Sequence, residues 1–249
     1  MKKFFAIVLA FILVLSLAAC HEESGVLDEI KTYEIASHIH ALDIEINAAN
    51  FTIVYADRFK IESNLKNLTV SENGGVLKIV DKIKSNVTYT DAMLTLHLPR
   101  DITFEDVNIK TGAANLTADS LSTNSLALKL GAGNAEFGCL NAYQYAEIQG
   151  GAGQITVHDG ILQNLSLEWG VGRLDLTAAL SGESDLVLGV GESNITLIGS
   201  PDDYTLDVDE GIGSITIDRA SGSDHGGNGQ NQVEIEGGIG NANISFRAK

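Results

Sequence analysis

An all-β fold is predicted: a parallel β-solenoid (a β-helix) wound from coils of about twenty residues with two strands each, behind an irregular N-terminal β cap. Three observations carry that reading. First, a glycine recurs in TGAAN, LGAGN, GGAGQ, WGVGR, VGESN, EGIGS and GGIGN, at Gly112, Gly131, Gly151, Gly170, Gly191, Gly211 and Gly238. The gaps are 19, 20, 19, 21, 20 and 27 residues, and a sustained period of this length marks a repeat array. Second, the residues five and three before each anchor, and four and six after it, are apolar. They are Val107, Ile109, Leu116 and Ala118 in the first coil, Leu186, Leu188, Ile195 and Leu197 in the fifth, and Val233, Ile235, Ala242 and Ile244 in the last. Third, polar residues alternate with them, the pattern of half-buried strands.

A coil with four inward side chains buries too little to offset the ordering of its own backbone. Stacking supplies the rest. Each strand then hydrogen-bonds to its counterpart one coil away, and the apolar columns become continuous buried ribs. A sandwich built from hairpins has no reason to hold such a register.

Taken in order from the N-terminus, residues 1–19 read as a secretory signal: Lys2 and Lys3, an apolar run from Phe4 to Leu15, then small residues. The run is shorter than the roughly 20 residues a membrane-spanning helix needs. Leu17-Ala18-Ala19-Cys20 resembles the bacterial lipobox, which makes Cys20 the acylated N-terminus and membrane tether of the mature chain. Two or more acyl chains hold firmly where one holds marginally. The expected location is therefore the cell membrane, lipid-anchored on its extracytoplasmic face, or the outer membrane in a two-membrane cell. Residues 20–40 follow as a polar linker.

Residues 41–106 read as the N-terminal β cap, with a ligand-binding lobe as the rival. Leu68 to Val70 and Val76 to Val80 flank Glu72-Asn73-Gly74-Gly75, a hairpin turn. A longer strand runs from Ala92 to Leu98. Asn47 reads as a degenerate anchor, with Leu42 and Ile44 before it and Phe51 and Ile53 after. Residues 107–249 are the regular coils.

Within the coils, Asn115, Asn134, Gln154, Arg173, Asn194, Ser214 and Asn241 stand three residues after their anchors. Stacked amides can hydrogen-bond from coil to coil. The 27-residue gap places its extra residues in the glycine-rich loop 221–231. That loop, continued from Gly226 to Val233, resembles one copy of a calcium-binding nonapeptide, and such sites need consecutive copies.

Two candidate sites follow from the register. The outward face of the last two coils should set Asp207 beside Glu234 and Asp209 beside Glu236, with Glu210 near, an acidic cluster suited to calcium or to plain solvation. Trp169, the single tryptophan, should lie over Gly150 and share with Leu130 and Val190 a small apolar strip for a partner.

Composition narrows the function classes. Loss of Lys2 and Lys3 leaves 14 basic against 33 acidic residues, a formal charge of about −19, which repels nucleic acid and suits cations or basic partners. Cys139 has no partner once Cys20 is acylated, so no disulfide framework is expected. Arg58, Arg100, Arg173, Arg219 and Arg247 are scattered, and His38-x-His40 is the one close histidine pair. Neither a catalytic cluster nor a zinc site emerges.

Gly-x-Gly turns near a twenty-residue period, after a segment ending LTLHLPRD (Leu94 to Asp101) and behind a lipobox, resemble the bacterial putative-adhesin family of β-strand repeat lipoproteins. The resemblance covers about residues 41 to 249. The residues and the resemblance together lead to the expectation of a non-enzymatic cell-surface binding module, meeting a cell-wall component, a glycan or a surface protein, with no cofactor beyond the candidate calcium ion. An accessory or sensor protein of the cell-envelope stress response is the alternative, and a polysaccharide-active enzyme the third reading.

Overall fold

A computed structural model describes residues 23–24, 27–35, 38–82, 87–88, 91–218 and 229–248. The signal, Cys20 and most of the 221–231 loop with its nonapeptide-like motif lie outside the described residues. Among those described, the only helical element is the 3-10 turn Pro201–Asp203. All other elements are strands, and all but the short pair Glu23–Ser24 and Val87–Thr88 belong to one connected, open sheet system.

The strands entering the turns stack in parallel register. Ile44 is opposite Ile109, Ile109 opposite Leu128, Leu167 opposite Leu186, Leu186 opposite Ile235, and Ile235 opposite Val208. Those leaving the turns do the same: Leu94 faces Phe51, Phe51 faces Leu116, Leu176 faces Ile195, and Ile195 faces Ile244. The inward columns are buried along the stack. A third side of each turn adds another column, in which Ala142, Leu162 and Leu180 are in register and buried.

Stacking order departs from chain order at both ends. The last coil, Asn231–Glu236 with Ile239–Arg247, lies directly against Glu183–Ile198, and the preceding coil, Tyr204–Asp209 with Ile212–Ile217, is outermost. Its inward residues Leu206, Val208, Ile215 and Ile217 are accordingly only half-buried. At the other end, Ala41–Ile46 and Asn50–Ala56 form a coil next to Phe104–Ala113, with Asn47 beneath Gly112 as its anchor. Val76–Asp81 and Met93–Pro99 lie outside it. The first and last full coils in chain order are thus each tucked one coil in from the ends of the stack.

The N-terminal edges carry antiparallel strands. Leu68–Asn73 pairs with Val76–Asp81, while Lys60–Ser63 pairs with both Met93–Pro99 and Lys31–Glu34. Residues 31–34, assigned to the linker from sequence, are therefore part of the sheet.

One coil sits two residues away from its expected register. Trp169 pairs with Leu188, Gly172 with Gly191, and Arg173 with Glu192. The true anchor is Gly189, and the inward columns there hold Ser184 and Ser193 instead of two leucines or isoleucines. Both serines are buried. A slip of two leaves every side chain on its predicted face, because strand side chains alternate with period two. The second glycine of the turn has a steric reason of its own. Gly172 and Gly191 have φ of +131° and +140°, and a Cβ on either would strike the carbonyl of the coil beneath.

Candidate functional site

The acidic residues meet across neighbouring strands. Asp207 is opposite Glu234 and Asp209 opposite Glu236, as the register requires, and Glu210 follows in the turn. Glu234 also faces Asp185 on its other side, so the ladder runs Asp185, Glu234, Asp207, with all three exposed. Asp185 was missed because chain order puts the outermost coil between it and Glu234. Among the described residues, no three His, Cys, Asp or Glu side chains converge closely enough to hold a metal ion. The ladder is an extended negative field, with strands about 4.8 Å apart.

The polar column changes track along the stack. Asn134 Nδ2 donates to Asn115 Oδ1 at 3.5 Å and Asn115 Nδ2 to Asn50 Oδ1 at 3.2 Å. Further on, Asn194 Nδ2 donates to Asp175 Oδ1 at 2.8 Å and Asn243 Nδ2 to Asn194 Oδ1 at 3.0 Å, two residues later in the coil. Arg173 bridges the switch, with Nε 2.6 Å from Asp175 and Nη1 3.4 Å from Glu192. Burial alone would raise the Asp175 carboxyl, but the hydrogen bonds from Arg173 and Asn194, with the guanidinium charge, hold it below the usual range. The described histidines His40, His97 and His158 each meet one carboxylate, of Glu105, Glu62 and Glu136.

Trp169 does lie over Gly150, but it is 3% exposed and packs into the corner of the coil. Its neighbour on the other side is Leu188, while Leu130 is half-buried and Val190 stands on a different column. The expected strip of Trp169, Leu130 and Val190 is not assembled. The residue before the anchor points inward, and the two-residue slip misplaced Val190.

A different apolar feature occupies the surface. The middle residue of each Gly-x-Gly turn points out, and in the distal coils these residues stand in register: Val171 opposite Val190, Val190 opposite Ile239, Ile239 opposite Ile212. Their exposures are 53, 44, 52 and 73%. Toward the cap the same position holds the exposed residues Ala152, Ala132 and Ala113. The rib therefore grows from alanine to isoleucine along the stack. On one side it is bordered three residues earlier by Glu168, Glu236 and Asp209, with the exposed Val187 between Glu168 and Glu236 in that row, and by Glu210 two residues before Ile212; on the other side stands the exposed Glu192. The signal was legible in the turn motifs themselves, in the change from GAG to GVG to GIG.

The family model described as Toastrack DUF4097, a domain of unknown function, matches residues 31–244. The chain belongs to the Toastrack DUF4097 family. Among solved structures, a putative adhesin from Bacteroides fragilis is similar at 13% identity, covering 89% of this chain and 98% of its own, with a TM-score of 0.56. A putative adhesin from Parabacteroides distasonis matches at 14% identity, 90% and 98% coverage and TM-score 0.43. A putative lipid binding protein from the same species matches at 12% identity, 88% and 94% coverage and TM-score 0.30. At these identities the likeness concerns fold, and no curated protein matches the chain.

This Toastrack chain also has a cavity of about 770 Å³ at the distal end of its third side, lined by Ile161, Leu180, Ile198 and Tyr204 beneath Asp159 and Arg247. The polar groups there are engaged within the chain. Arg247 Nη2 is 2.8 Å from Asp159 Oδ2, Tyr204 Oη donates to the Ile198 carbonyl at 2.7 Å, and Asn231 Nδ2 donates to the Asp203 carbonyl at 3.0 Å.

Proposed function

We propose that this chain is a non-enzymatic binding module of the bacterial envelope, an acidic β-solenoid of about twenty-residue coils. It is exported by residues 1–19 and held at the membrane by a lipid on Cys20. The observation that carries the reading is the exposed rib. Four β-branched side chains in contiguous register gain nothing from facing water, and contiguous exposed apolar surface of this kind marks interaction sites.

The topology supports the polarity of the module. The N-terminal strands cover the end of the stack opposite the Ile212 coil, so a tether at Cys20 would leave the rib and acidic ladder farthest from the membrane. Names given to structural neighbours agree with adhesion, and the charge of −17 over the whole chain disfavours nucleic acid. The partner is a cell-wall component, a glycan or a surface protein.

The test is a binding screen with the chain from residue 21 onward, which contains every described residue. Wall fragments, a glycan panel and membrane-protein extracts are titrated with and without calcium. Saturable binding to one of them is the expected result. Turnover of a polysaccharide, or no binding to any, would overturn the reading.

A further inference from the structure

The rib has a shape and an electrostatic setting that select one kind of partner. We propose that the Val171, Val190, Ile239 and Ile212 rib is the seat of a basic amphipathic helix on a partner protein, an inference that rests on the chain being a binding module.

The spacing matches. Rib residues belong to strands about 4.8 Å apart, so the four span about 14 Å. A helix returns an apolar side chain to the same stripe about once per 5.4 Å turn. Three turns of helix laid along the axis therefore place one apolar residue near each rib residue. The turns also leave room for a cylinder of that width, because glycines stand on both sides of each rib residue: Gly170 and Gly172, Gly189 and Gly191, Gly238 and Gly240, Gly211 and Gly213. The rib rises from bare backbone with nothing beside it to hold a helix off.

The charges choose the sign. Glu168, Glu236, Asp209 and Glu210 border the rib before the turn, with the exposed Val187 among them, while Glu192 after the turn is offset by Arg173. Arg173, the one basic group at the flanking positions of these four coils, is already taken by Asp175 and Glu192. A helix with lysines or arginines on the shoulder facing Glu168, Glu236, Asp209 and Glu210 would place cations over those carboxylates, their aliphatic stems extending the apolar contact. A second copy of this chain would bring the same acids face to face, and an anionic lipid surface would be repelled as well.

The experiment titrates the chain from residue 21 with a three-turn synthetic Leu–Lys peptide whose leucines form one helical stripe. A scrambled peptide of equal composition and phosphatidylcholine vesicles are the controls. Two variants are compared, Val190→Thr with Ile239→Thr, which keeps β-branching, and Glu168→Gln with Glu236→Gln, which changes only exposed charge. Expected are saturable binding, about tenfold preference for the striped peptide, about tenfold weakening in the threonine variant, and weakening in the glutamine variant that vanishes at high salt. Circular dichroism melting confirms that each variant is folded, and the glutamine pair decides if the threonine pair is not.

Equal binding of striped and scrambled peptides, unchanged affinity in both variants, rib-dependent binding to vesicles, or a dimer of the free chain lost in the threonine variant would each overturn the proposal. Wall or glycan binding that survives in the threonine variant would overturn it while leaving the binding-module reading intact.

Discussion

The indole of Trp169 packs on Gly150 of the neighbouring coil so closely that a methyl group at Gly150 would collide with the Cε3–Cζ3 edge of the ring. The corner of the coil is full at that level. Gly150→Ala should destabilise by about 2 to 3 kcal/mol through overpacking, lowering the melting temperature by about 4 to 12 °C for a domain of this size. Trp169→Leu makes room for the methyl, so the double variant should lose less than the sum of the single losses. Additive losses would show that the two residues do not share the space.

Ser184 is the opposite case. It occupies an inward position filled by Val107, Leu126, Ala146, Leu165 and Val233 in other coils, and its buried hydroxyl has no protein partner. Ser184→Ala should raise stability by about 1 kcal/mol, because the methyl needs no hydrogen bond. Thermal melting that rises by about 2 to 4 °C checks this.

Asp175 links stability to pH. Burial opposes its ionisation, but Arg173 and Asn194 outweigh burial and its carboxyl is held below the ordinary aspartate range. A folded-state value below the unfolded one stabilises above the unfolded pKa and is lost as pH falls through the folded one. The advantage of wild type over Asp175→Asn in melting temperature should therefore be constant near neutrality and shrink below about pH 4. A difference independent of pH would remove Asp175 from the acid response.

The acidic ladder should be a strain on the distal end. Like charges directly opposite on neighbouring strands destabilise, so Glu234→Gln, which relieves two contacts, should raise the melting temperature more than Asp207→Asn, which relieves one. Both gains should fade at high salt. Equal effects would mean that Glu234 does not lie between Asp185 and Asp207.

Much of this architecture is legible in the glycine period. The anchors at Gly112 through Gly170, the degenerate anchor Asn47, the pairing of Asp207 with Glu234 and the Asn115–Asn134 ladder all follow from counting residues. What counting misses has physical reasons. By apolar pattern Gly191 is the better anchor, since Gly189 puts Ser184 and Ser193 in two inward columns, and a shift of two keeps Leu186, Leu188, Ile195 and Leu197 facing inward either way; the pairing of Trp169 with Leu188 is what selects Gly189.

Stacking order is invisible for a related cause. Every coil offers its neighbours the same columns, so Glu183–Ile198 could receive either following coil, and nothing local in 204–217 marks it as the outer one. The candidate surface is hard to see for a simpler reason: the rib is written one residue per turn, between glycines some twenty residues apart, and only stacking brings Val171, Val190, Ile239 and Ile212 together.

The rib and the ladder both depend on the last coil being inserted beneath the one before it, and disulfide trapping tests that order directly. In a Cys139→Ser background, Val190→Cys with Ile239→Cys places the cysteines on directly paired strands, within the Cα separation of about 4.4 to 6.8 Å that a disulfide spans. Val190→Cys with Ile212→Cys places them two strands apart, about 9.6 Å. Rapid oxidation of the 190–239 pair with none of the 190–212 pair is the expected result, and the reverse pattern would contradict the insertion and the rib with it.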